Sequence, residues 1–106
     1  MNKALELLDR ALETARDEER ALAAKDYERA ATLHASRARL LQDAWSLRSG
    51  ASVEIYRHKL SELSELQKGM MRIARDARDT VRASLQHTHR QQKRLTAYQK
   101  CVRMAF

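Results

Sequence analysis

Proline is absent from this chain, and glycine occurs only twice, at Gly50 and Gly69. The residues that punctuate turns and interrupt regular structure are therefore nearly missing, and long uninterrupted helices are expected. Aromatic residues make up only 5% of the sequence, and β-branched residues are also sparse, so strands are not expected. A single cysteine, Cys101, excludes an intramolecular disulfide. No long apolar run is present, and the opening segment from Met1 to Leu12 lacks the apolar stretch of a signal peptide or membrane span. A reduced, cytoplasmic protein without membrane insertion is the expectation. Catalytic signatures are missing as well: there is no glycine-rich phosphate loop, nucleophile elbow or paired-acid motif. No enzyme activity, catalytic residue, cofactor or bound metal is expected.

What is present is helix-forming. Alanine, leucine, arginine, glutamate, lysine and glutamine dominate, and the charged fraction of 33% exceeds the quarter typical of globular domains. The length of 106 residues suits one domain. Leu5, Leu8, Leu12, Ala15 and Leu22 recur at three- and four-residue steps, the stripe of an amphipathic helix. The same seven-residue phase runs on through Glu19, Asp26, Leu33, Leu40 and Leu47. Preserved phase, with no glycine or proline near Asp26, favours a kink or short break over a full turn there. Asp26 is placed to cap a second helical segment.

The strong turn signal is residues 48–52. Gly50 is suited to the left-handed conformation that ends a helix, and Ser52 to capping the next. From Val53 a second stripe follows as Leu60, Leu63, Met70, Ala74, Ala77 and Val81, widened by Leu66 and Ile73. The expected fold is all-α: an elongated antiparallel helical hairpin or small helical bundle of long amphipathic helices. It forms a single domain over 1–106, with one arm over 2–48, kinked or broken near 24–27, a turn at 49–52, and a second arm over 53–100. At 1.5 Å per residue each arm spans roughly 70 Å.

The net charge of +7 is unevenly distributed. The first 53 residues carry nine basic and nine acidic side chains, and the remainder twelve and five. After Asp79 no acid occurs, only Arg82, Arg90, Lys93, Arg94, Lys100 and Arg103, with His87 and His89. These cations read as spread around the helix. They fit a solvated face or an acidic protein partner as well as phosphates.

Beyond Val81 the second stripe weakens through Ser84, Thr88 and Gln91 and recovers at Leu95, Tyr98 and Val102. In a hairpin this segment faces Leu5, Leu8 and Leu12, so the open end would leave apolar residues unmatched. Leu5, Leu8, Leu12, Val81, Leu85, Leu95 and Val102 are the expected client-binding residues. Fraying of a weak helix end is the competing account.

Three other features invite chemistry. His87 and His89 are two apart and point away from each other on a helix, which does not suit chelation. His58 has helical neighbours at the right spacing in Glu54 and Glu62 but no third ligand, so a surface pair is expected. Cys101 has Lys100 and Arg103 beside it but no base placed to activate it.

Three segments carry a family likeness. Residues Arg20-Ala21-Leu22-Ala23-Ala24-Lys25-Asp26-Tyr27 are similar to an alanine-leucine to aspartate break between helices. Arg37-Ala38-Arg39-Leu40-Leu41 follows, and Arg94-Leu95-Thr96-Ala97-Tyr98-Gln99-Lys100 is similar to a basic alanine-tyrosine ending. Together they resemble the FlgN/FliT superfamily of flagellar (type III) export chaperones over nearly the whole chain. The resemblance implies a cytosolic chaperone that binds a helical segment of a flagellar axial subunit, a hook-associated or filament-cap protein, and delivers it to the export apparatus. It also implies docking on the cytosolic domain of the export gate through a C-terminal tyrosine, here Tyr98. The alternatives are a basic coiled-coil nucleic-acid binder and a structural helical module that pairs as a homodimer.

Overall fold

A computed structural model describes residues 2–105, with the side chains of Gln99 and of residues 101–105 outside that description. Among the described residues there are three helices and no strand: α1 (Lys3–Ala23), α2 (Tyr27–Ser46) and α3 (Val53–Ala105). The chain divides into two compact units, the first ending at Ala74 and the second beginning at Arg75. The all-α architecture expected from the composition is present, and of the two forms expected, hairpin or small bundle, it takes the bundle, with the first arm broken into two helices between Ala23 and Tyr27.

Asn2 starts α1 by accepting from the amides of Ala4 at 2.9 Å and Leu5 at 3.3 Å, which satisfies two of the amides a helix start leaves without intrahelical partners. The end of α1 corrects the expectation of a kink. Lys25 adopts φ 63°, its amide donates to the Leu22 carbonyl at 3.0 Å, and the Asp26 amide donates to the Ala21 carbonyl at 2.9 Å. This pair of reversed bonds is a Schellman closure, and it ends the helix without glycine. Asp26 then accepts from the Arg29 amide at 3.2 Å and starts α2. A full reversal follows, and α1 and α2 pack on each other.

The second connection matches its sequence signals. Gly50 has φ 82° inside a turn closed by the Ala51 amide on the Arg48 carbonyl at 3.0 Å. Ser52 caps α3, its Oγ accepting from the Ile55 amide at 3.4 Å.

In the first unit, Asp9 pairs with Lys59, Arg16 lies 4.0 Å from Glu62, and a Cβ added at Gly69 would sit 3.4 Å from Glu19 Oε2. Rising numbers on α1 meet rising numbers on α3, so residues 53–74 run parallel to α1. Across the other contact, Glu18 meets Arg37, so α2 runs antiparallel to both. The first unit is an up-down-up three-helix bundle.

Its core explains why the chain folds this way. Leu8 is fully buried, and Leu7, Leu12, Leu63, Met70 and Tyr56 belong to the same buried cluster along the bundle. Ala4, Ala11, Ala15 and Ala44 are wholly buried too, and such short side chains at a helix contact allow close axes. On α3 the buried positions step by seven from Tyr56 through Leu63 to Met70, whereas Leu60 and Ala74, expected in the stripe, are exposed. Leu47, the last leucine of the expected first arm, is exposed at the turn.

Candidate functional site

The expected client-binding set separates into two groups. Leu8 and Leu12 are core residues at 0% and 5% exposure, and Leu5 is half-buried against the same core. The sequence reading of an open hairpin end is corrected here: α2 and the first part of α3 cover the α1 stripe, so these leucines have partners within the bundle. Val81, Leu85, Leu95 and Tyr98 are the other group, 58%, 66%, 58% and 67% exposed. The side chain of Val102 lies outside the described residues, as does that of Cys101.

The second unit has a clear division of faces when taken by itself. At about 100° per residue, Val81, Leu85 and Leu95 fall within a sector roughly 80° wide, with Thr88 and Gln92 between them. The Thr88 hydroxyl donates to the Ser84 carbonyl at 3.1 Å, so the stripe's one hydroxyl is already satisfied. Arg82, Arg90, Lys93, Arg94 and Lys100 occupy a sector of about 120° on the side away from that stripe. From Arg82 to Lys100 the cations are thus more segregated than the sequence reading held. Every described side chain from Arg78 to Tyr98 is exposed. The result is a basic amphipathic helix with an uncovered apolar stripe.

His58 Nε2 sits 3.1 Å from Glu62 Oε1 at the surface, the pair its spacing suggested. Among the described residues no group of three or more metal-ligating side chains comes together, and no helix is long and apolar enough to cross a membrane.

A second surface was missed by sequence reasoning. The Trp45 and Tyr56 rings approach to 6.3 Å between centroids at a 58° tilt, and the Arg48 guanidinium lies 3.8 Å over the indole. They line a cavity of about 430 Å³ with Val53, Arg57 and Leu60. The available signal was that the chain's one tryptophan and one of its three tyrosines bracket the Gly50 turn.

Comparisons with family models, curated proteins and solved structures return no match to this chain.

Proposed function

We propose that this protein is an export chaperone that binds a helical segment of a flagellar axial subunit and hands it to the export apparatus in the cytosol. The observation that carries this reading is the exposed apolar stripe of Val81, Leu85 and Leu95 on a helix whose opposite side is cationic. A client helix laid along that stripe would bury its own apolar face against it. Carboxylates flanking the client's apolar face would meet Arg82, Lys93 and Lys100 and steer the encounter. Occlusion of the client's assembly helix is the mechanism, with no turnover. The resemblance of the segments around Asp26, Leu40 and Tyr98 to the FlgN/FliT superfamily supports the same reading. Tyr98, 67% exposed, is the residue we assign to the export gate.

The test is size-exclusion of the full chain with purified hook-associated and filament-cap subunits. A stable complex with one of them, lost on Leu85→Asp, is the expected result. Failure to bind any axial subunit removes the reading.

The exposed cations also favour a second reading, nucleic-acid binding through Arg82, Arg90, Lys93, Arg94 and Lys100. Duplex affinity falling steeply with salt would support it, and no binding at low salt would exclude it.

A further inference from the structure

The groove beside the Gly50 turn lies in the first unit, and its proposed role does not rest on the chaperone reading. We propose that the surface formed by Trp45, Arg48, Val53, Tyr56, Arg57 and Leu60 binds an acidic segment of a partner protein carrying a large apolar anchor side chain.

Three observations converge on that occupant. The first is shape and lining: a cavity of about 430 Å³ has room for one large side chain, and it is bounded by Trp45, Tyr56, Val53 and Leu60. Trp45 and Val53, which both line it, are 56% and 66% exposed. Tryptophan, tyrosine and arginine are the residue types that dominate binding energy at protein interfaces.

Charge supplies the second. Arg48 and Arg57 both line the cavity, and among the described residues neither has a carboxylate within 4.0 Å. Arg48 is fixed in place, with one guanidinium nitrogen donating to the Trp45 carbonyl at 2.8 Å and its plane over the indole. The remaining N–H groups of that fork are free to take a carboxylate. A fixed cation loses less freedom on binding than a mobile one.

The third observation separates a protein from a nucleic acid. Base recognition by an aromatic side chain needs an open ring face. On Trp45 one face is already taken by Arg48, and Tyr56 is only 8% exposed. The aromatic pair is arranged to wall a pocket, not to stack bases.

Trp45 is the only tryptophan, so its fluorescence reports occupancy in the intact chain. The probe is a capped hexapeptide with two glutamates on either side of a leucine-phenylalanine pair; the control replaces all four glutamates with lysines. A third arm uses an eight-nucleotide single-stranded oligothymidylate. The acidic peptide should shift Trp45 emission saturably. Arg57→Glu should weaken it by at least about tenfold and improve binding of the lysine peptide. Arg57→Gln, which keeps most of the side chain, should fall between wild type and Arg57→Glu. Circular dichroism should give both variants wild-type helicity. The proposal is overturned by equal responses to the two peptides, by a stronger response to the oligonucleotide, or by no saturable change up to about 1 mM peptide. A charge-reversed response in Arg57→Glu would establish the site whether or not the chain binds a flagellar subunit.

Discussion

Arg37 on α2 donates from Nε to Glu18 Oε2 on α1 at 3.0 Å, and both side chains are only 6% exposed. His34 completes the cluster, with Nδ1 at 3.2 Å from Glu18 Oε1 and 2.9 Å from an Arg37 guanidinium nitrogen. This is the one charged pair buried between the helices among the described residues, and it joins α1 and α2 in a single register: a shift of either helix by one residue would separate the two charges. Removal of one partner leaves the other buried and unpaired. Glu18→Ala is expected to destabilise the bundle by about 3–5 kcal/mol. Urea unfolding monitored by circular dichroism measures it. The double change Glu18→Leu with Arg37→Met removes both charges together and should recover most of that loss. If the single and double variants are equally unstable, the pair is not the source of the effect.

Lys25 holds a left-handed backbone, φ 63°, that L side chains disfavour. The conformation persists because the two reversed hydrogen bonds from Lys25 and Asp26 require it. Glycine at this position relieves a strain of about 1–2 kcal/mol against an added unfolded-state entropy of roughly 0.5–1 kcal/mol. Lys25→Gly should therefore stabilise the protein, and its thermal midpoint should rise by a few degrees, about 4–8 °C per kcal/mol for a domain of this size. A lowered midpoint would mean that the Lys25 side chain contributes something its exposed position does not reveal.

The same turn explains how far the sequence could be read. Helical class, the Gly50 turn and the Ser52 and Asp26 caps were all legible, because each rests on a residue whose local chemistry has one common use. The reversal at 24–26 was not, because Lys25 occupies a position where glycine is usual and because the seven-residue phase carries on from Leu5 to Leu47 across the polar Glu19 and Asp26. On α2 that phase is not the buried one: Ala30, Arg37 and Ala44 are buried, whereas Leu33 and Leu40 are half-buried and Leu47 is exposed, so a periodicity argument reads two antiparallel helices as one arm. Once α1 and α2 are taken as one arm, Leu8 and Leu12 lose their true partners and look like a binding surface. Glu18 and Arg37 were invisible for a related reason: charged residues are read as surface unless their partner is known. Val81, Leu85 and Leu95, grouped with Leu8 and Leu12 in the sequence, are exposed where those two are buried.

Gly69 lies inside α3 against α1, and an added Cβ would sit 3.4 Å from Glu19 Oε2 and meet no backbone closely. That carboxylate is the far end of a flexible side chain and can turn aside. Alanine in a helix interior is favoured over glycine by about 1 kcal/mol. Gly69→Ala should accordingly raise stability by roughly 0.5–1 kcal/mol, measured as a shifted urea midpoint with an unchanged slope. A destabilised variant would show that α1 and α3 require the closest possible approach at this point.

Leu8 and Leu85 were assigned the same role from sequence, yet one is fully buried and the other 66% exposed. Their truncations should therefore separate cleanly. Leu8→Ala removes packed methyl groups from the centre of the bundle and should cost about 2–5 kcal/mol. Leu85→Gln keeps a good helix former on an exposed face and should change stability by no more than about 0.5 kcal/mol. Binding should show the opposite order: Leu85→Gln should weaken capture of an axial-subunit helix, while Leu8→Ala, assayed at a temperature where it remains folded, should leave it intact. Calorimetric titration of both variants with the same client provides the comparison. If Leu85→Gln unfolds the chain, Leu85 belongs to a packed contact; if both variants bind alike, the apolar stripe is not where a client sits.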